Sequence, residues 1–152
     1  MTDKQDKLDR LYMNVAKEYA ELSRARRLKV GACIVTKQGV TLSGYNGTPS
    51  GYDNDCEYTM PDGRLVTKDE VIHAEMNCIL KGAREGISLV DSTAYITHSP
   101  CKRCSAMLSS VGVKRIFYWY EYGYGHNQHL DTLRSLGIEV EQLGRILDDD
   151  ML

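Results

Sequence analysis

The sequence contains no apolar run approaching the ~20 residues that a membrane-spanning helix needs, so no bilayer partner is expected. It also lacks the layout of a secretory signal. Met1-Thr2-Asp3-Lys4-Gln5-Asp6-Lys7 mixes charges with no apolar core behind it, and a cytoplasmic location is expected. There is no excess of basic charge: 19 Lys and Arg face 21 Asp and Glu, a net charge of −2, which argues against a grip on a long polyanion and so against a polynucleotide partner. No internal repeat, low-complexity tract or linker divides the chain. Its 152 residues are read as one domain, 1–152, long enough to bury a core without disulfide staples. The tail from about residue 145, with Asp148, Asp149 and Asp150, is expected to fray. Five cysteines is an odd number and two of them form a Cys-x-x-Cys pair, so thiols are expected to serve packing or a metal rather than disulfides.

What is present alternates between helix and strand signals. Leu8, Leu11, Tyr12, Val15, Tyr19 and Leu22 recur at three- and four-residue steps, predicting a first helix with that stripe in the core. Residues 30–35 and 40–45 read as a hairpin turned at Lys37-Gln38-Gly39. Residues 48–67 show no periodicity and are too long for an idle connection, which suggests a loop bordering a site. Helices are expected over 72–83, 101–111 and 128–136, and strands over 93–97, 115–119 and 138–142. Such alternation predicts an α/β fold with right-handed crossovers in a mainly parallel sheet.

The informative feature is His73-Ala74-Glu75 followed, one strand later, by Pro100-Cys101-Lys102-Arg103-Cys104. Thiolate and imidazole suit zinc, and three protein ligands leave the fourth tetrahedral position open, which marks a catalytic site. Cys101 and Cys104, three apart on a helix, lie on one face, and the helix N-terminus favours the thiolate form. His73 supplies the third ligand. Glu75, two residues on, is turned away from His73, is poorly placed to bind zinc alongside it, and is read as the proton carrier. The conjunction is the signature of zinc-dependent hydrolytic deamination of an amino-base. A closed structural site would need a fourth ligand, for which Cys78 is a candidate, but Cys78 and Cys33 are read as small buried hydrophobes. His126 and His129 have a metal-like spacing in polar surroundings and are read as a surface loop or cap. The basic cluster from Arg24 to Lys29 either serves a small phosphorylated ligand or is a solvated helix end.

With these motifs in place, the chain resembles the deoxycytidylate (dCMP) deaminases of phages and bacteria over nearly its whole length. The likeness is carried by Arg27-Leu28-Lys29-Val30-Gly31-Ala32-Cys33-Ile34-Val35, Gly44-Tyr45-Asn46-Gly47, His73-Ala74-Glu75-Met76-Asn77 and Thr97-His98-Ser99-Pro100-Cys101 through Cys104. The resemblance implies a three-layer α/β/α cytidine deaminase-like fold, a five-stranded mixed, mostly parallel sheet with an N-terminal helix and hairpin. It implies hydrolysis of dCMP to dUMP and ammonia, feeding thymidylate synthesis, in host cytoplasm if the chain is phage-encoded. It places Asn46, Arg27, Tyr122 and Ala74 on the substrate, Asn46 at the sugar and Arg27 near the 5′-phosphate. Asn46 also fits a plain turn. Tyr118, Tyr120, Tyr122 and Tyr124 alternate, leaving open which one meets the phosphate. Similar enzymes are homohexamers activated by dCTP and inhibited by dTTP with magnesium, through a site involving Gly44, Tyr45, Asn46 and Gly47. Those glycines would equally suit a hairpin turn. A second, structural zinc is not expected, since Cys56 is the only cysteine in the insertion. The rival readings are a deaminase of another amino-base nucleotide or nucleoside, and a noncatalytic zinc-binding subunit. The second could dispense with Glu75.

Overall fold

The computed structural model describes residues 2–122 and 127–144. Helix α1 (Asp3–Ala20) is followed by the hairpin β1 (Gly31–Val35) and β2 (Thr41–Tyr45). A small hairpin, β3 (Glu57–Thr59) and β4 (Leu65–Thr67), comes next. The chain continues through α2 (Ala74–Glu85), β5 (Thr93–His98), α3 (Lys102–Ser110), β6 (Arg115–Tyr120), α4 (Gln128–Ser135) and β7 (Glu139–Gln142). The main sheet has five strands in the order β2-β1-β5-β6-β7. It is mixed: β1 runs antiparallel to both β2 and β5, while β5, β6 and β7 are parallel.

Side chains of a strand alternate between faces, and here both faces are covered. Cys33, Tyr95 and Phe117 pack with Met13 and Ala16 of α1 on one side. Ala32, Ile34, Ala94, Ile96 and Ile116 pack on the other, against Ala74 and Cys78 of α2, Leu108 of α3 and Leu130 and Leu133 of α4. The result is the three-layer α/β/α arrangement. No helix among the described residues is long and apolar enough to cross a membrane.

The buried face of α1 differs from the expected stripe. Asp9, Met13, Ala16 and Ala20 are buried and Tyr12 and Val15 of the expected stripe pack half-buried against that core, while Leu11 and Leu22 are 52% and 57% exposed. The cause lies in β1. A Cβ at Gly31 would stand 1.9 Å from the Ala16 carbonyl oxygen, so α1 sits directly on the strand backbone and only small side chains fit between. The larger apolar residues flank the contact instead. Asp9 enters the core with partners: it accepts hydrogen bonds from the Tyr95 hydroxyl (2.5 Å) and Gln5 Nε2 (2.9 Å), and Arg115 lies 3.6 Å away.

Residues 48–67 also depart from expectation, because they contain the β3–β4 hairpin. Strands of three residues are too short to display a period of two, which is why the segment reads as aperiodic. The acidic tail beyond Gly144 lies outside the described residues.

Candidate active site

His73 and Cys101 each occupy the residue immediately before a helix, in extended backbone conformation: His73 at the start of α2 and Cys101 at the start of α3. His73 is aimed by its neighbours. Its carbonyl accepts from Asn77 N (2.9 Å), and Ile72 is bridged to Gly47 by reciprocal hydrogen bonds of 2.8 and 3.1 Å. Cys101 Sγ accepts from Cys104 N at 3.5 Å, so the exposed N–H groups of the α3 terminus do meet sulfur. Pro100 before it is fully buried, and its carbonyl is 2.8 Å from His129 Nε2. His129 is thus a half-buried residue of the first turn of α4 that holds the cysteine loop, nearer the expected cap than the expected surface loop. His126 lies outside the described residues.

His73 Nδ1 stands 3.6 Å from Cys101 Sγ and 3.3 Å from Cys104 Sγ, and all three donor atoms lie within 4.8 Å of one another. A tetrahedral zinc ion with ordinary bond lengths separates sulfur from nitrogen by about 3.5 Å. The three residues therefore fit the metal. Cys101 carries the thiolate: hydrogen bonds from the Cys104 thiol, then from His73, draw its pKa down to about 3. The shared contact with Cys101 and burial push Cys104 up, and the Cys101 contact also raises His73. Cys78 does not converge on this group. It is fully buried in the core, its Sγ 3.6 Å from the Ala32 carbonyl, and Cys33 is equally buried.

Glu75 is 4% exposed, and burial pushes its carboxyl above the usual carboxylate range. It lines a cavity of about 390 Å³ together with His73, Cys101, Arg27, Val30, Asn46, Glu57, His98 and Tyr122, among others. That volume lies in the range of small-molecule sites.

The substrate-side residues divide. Asn46 reaches the cavity wall and spends part of its amide on the chain: Oδ1 accepts from Val30 N (2.9 Å) and Nδ2 donates to the Leu28 carbonyl (2.8 Å). Arg27 lies at the exposed mouth, its Nη1 3.1 Å from Thr67 Oγ1. Tyr122 is the tyrosine of the alternating series placed at the wall, through the hydrogen bond from its N–H to Ser99 Oγ (2.7 Å). Tyr118 is buried, Tyr120 meets His98 with tilted rings 5.2 Å apart between centroids, and Tyr124 lies outside the described residues. Ala74, Gly44, Tyr45 and Gly47 are not among the residues that line the cavity. Ala74 is fully buried. Gly44 is a point of close approach, where a Cβ would come within 3.2 Å of the Ala74 carbonyl oxygen. The Tyr45 carbonyl accepts from Asn77 Nδ2 at 2.8 Å.

The family of cytidine and deoxycytidylate deaminase zinc-binding regions matches residues 6–120, which carry the whole His73, Glu75, Cys101 and Cys104 constellation. The chain belongs to this family. As a deaminase it is a zinc-dependent hydrolase. It is 29% identical to the deoxycytidylate deaminase of Enterobacteria phage T4, over 84% of this chain and 86% of that protein. It is 33% identical to that of Mycobacterium phage D29, over 72% of this chain and 92% of the relative. The dCMP deaminase of cyanophage S-TIM5, solved in complex with dCMP and dUMP, superposes with a TM-score of 0.79 at 39% identity. That match covers 93% of this deaminase and 98% of the cyanophage protein.

Sequence reasoning missed Glu57, Thr67 and His98 as parts of the deaminase site. His98 and its neighbour Ser99 stood inside the recognised motif without a role. Glu57 and Thr67 carried no local signal at all, since both act on the distant Arg26-Arg27 segment.

Proposed function

We propose that this deaminase hydrolyses dCMP to dUMP and ammonia. The observation that carries the reading is one cavity lined by the zinc donors His73 and Cys101, with Cys104 grouped beside them, by a buried carboxylate and by an exposed arginine. His73, Cys101 and Cys104 hold the metal. Bound zinc supplies acidified water, so that a nucleophile is available near neutral pH. Glu75 takes the proton from the attacking water and passes it to the ring nitrogen beside the amino-bearing carbon. It then takes the remaining proton of the added hydroxyl and delivers it to the departing amine, which leaves the oxo base and ammonia. Its burial suits this role, because a carboxylate whose pKa is raised is a stronger base and takes the water proton more readily than an exposed one. Asn46 orients the sugar with the part of its amide that faces the cavity. Arg27 and Tyr122 receive the 5′-phosphate, for which a planar guanidinium is well suited.

The family likeness further supports supply of thymidylate synthesis in the cytoplasm, a homohexameric assembly, and control by dCTP as activator and dTTP with Mg2+ as inhibitor. The effector contacts would involve residues 44–47. Asn46 belongs to both this segment and the cavity wall, which links the two.

An ultraviolet assay of zinc-loaded protein on dCMP, CMP, dCTP and deoxycytidine, with and without dCTP or dTTP, tests the whole reading. Loss of amino-pyrimidine absorbance on dCMP is expected. Its absence under every condition removes the substrate assignment, and indifference to both triphosphates removes the regulatory one.

A further inference from the structure

Glu57 is a carboxylate that is 2% exposed, on a hairpin outside the main sheet, and the reaction as described makes no use of it. A buried carboxylate is costly unless its oxygens are filled by donors. Here the donors are backbone. Arg26 N–H approaches both oxygens, at 3.1 and 2.9 Å, and Arg27 N–H donates to Oε2 at 2.9 Å. The Arg26 side chain adds its charge, with Nε 3.6 Å from Oε1 and Nη2 bonded to Asp55 at 2.9 Å. Arg26 is thereby committed to the hairpin. Its neighbour Arg27 lines the cavity, and its guanidinium rests on Thr67 Oγ1.

The register of the hairpin pairs Glu57 directly with Thr67 across β3 and β4. One rung of this two-stranded insert therefore grips Arg27 at both ends, Glu57 by the main chain and Thr67 by the head group. The stretch carrying Arg27 has no helix or strand of its own to fix it.

We infer that the Glu57–Thr67 rung is the specificity-determining device of this deaminase, a clamp that preorganises Arg27 for a 5′-monophosphate and so separates nucleotide from nucleoside substrates. Glu57 and Thr67 are positioning residues, acting through Arg27. The inference rests on the reading of Arg27 as the phosphate ligand. A long flexible side chain placed in advance loses less freedom on binding, so the clamp contributes to dCMP binding and nothing to a substrate without phosphate.

Steady-state kinetics of Glu57→Gln and Thr67→Val on dCMP and deoxycytidine test this. Glu57→Gln replaces one acceptor oxygen with a donor facing backbone N–H groups. It is expected to lower kcat/KM for dCMP by roughly tenfold to hundredfold, mainly through KM, with deoxycytidine turnover unchanged. Thr67→Val keeps the shape of the rung and removes only the guanidinium's acceptor. A smaller loss of the same kind is expected, restored by Thr67→Ser. In an Arg27→Ala background Glu57→Gln is expected to cost nothing further on dCMP. Equal losses on both substrates, or an undiminished loss in that background, overturn the clamp. So does a dCMP preference undiminished in both variants. Equal handling of dCMP and deoxycytidine by the unaltered enzyme overturns the phosphate reading of Arg27 itself, and the clamp with it.

Discussion

Inside the cavity, His73 and Cys101 each precede a helix and are placed by hydrogen bonds to residues three or four positions away. At its mouth Arg27 sits in irregular chain and is held by residues 30 and 40 positions distant. The metal-donor cluster is therefore assembled from helix starts, whose geometry is set locally, and the arginine of the mouth is held by long-range contacts to an inserted hairpin. Under the proposed function, chemistry and selectivity are separable in such a molecule. Changes inside should remove turnover of every substrate, whereas changes at the mouth should re-rank substrates.

The largest effect expected is from metal removal. Chelation should abolish deamination of dCMP and deoxycytidine alike, and added zinc should restore both, as followed by absorbance and metal analysis. Because the ligands must be deprotonated, and burial with the Cys101 contact pushes the Cys104 thiol up, zinc affinity of the chelated protein should fall as pH is lowered. Next comes Glu75→Gln, expected to reduce kcat on both substrates by about a hundredfold to ten-thousandfold with zinc content near normal. Unaffected turnover would remove the proton-carrier role. Arg27→Ala should raise KM for dCMP by roughly tenfold to hundredfold and leave deoxycytidine unchanged. A uniform loss on both would erase the distinction between inside and mouth. The smallest effect on catalysis is expected at Asp9, which does not line the cavity. Asp9→Ala strips a partner from the buried Tyr95 hydroxyl and should lower stability by roughly 1–3 kcal/mol in urea unfolding while kcat holds.

The same division explains what could be read from the sequence. The metal donors and Glu75 were legible because their spacing along the chain is itself the geometry: Cys101 and Cys104 converge through one helical turn, and His73 and Glu75 diverge through half of one. The alternation of helices and strands was legible for a related reason, since each of α2, α3, β5 and β6 carries its own period and its own stop, such as Gly86 in left-handed conformation after α2. The stripe on α1 was misplaced because the helix faces a glycine. Hydrophobicity predicted that Leu11 would be inside, whereas the closeness of Gly31 admits only Ala16 and Ala20. Glu57 and Thr67 were invisible for the opposite reason: their meaning depends on a three-residue strand pairing and on a segment distant in sequence.

Gly31 has a further consequence for how this chain can vary. Its backbone is pressed between Ala16 and Ala20 of α1, and its N–H is bonded to Thr97 Oγ1 at 3.1 Å, one residue after the Val30 that Asn46 holds. Even one added methyl group has nowhere to go without lifting the helix or moving the cavity wall at Val30. In a saturation library screened for activity, position 31 should accept glycine alone, although it is neither a metal donor nor part of the cavity lining.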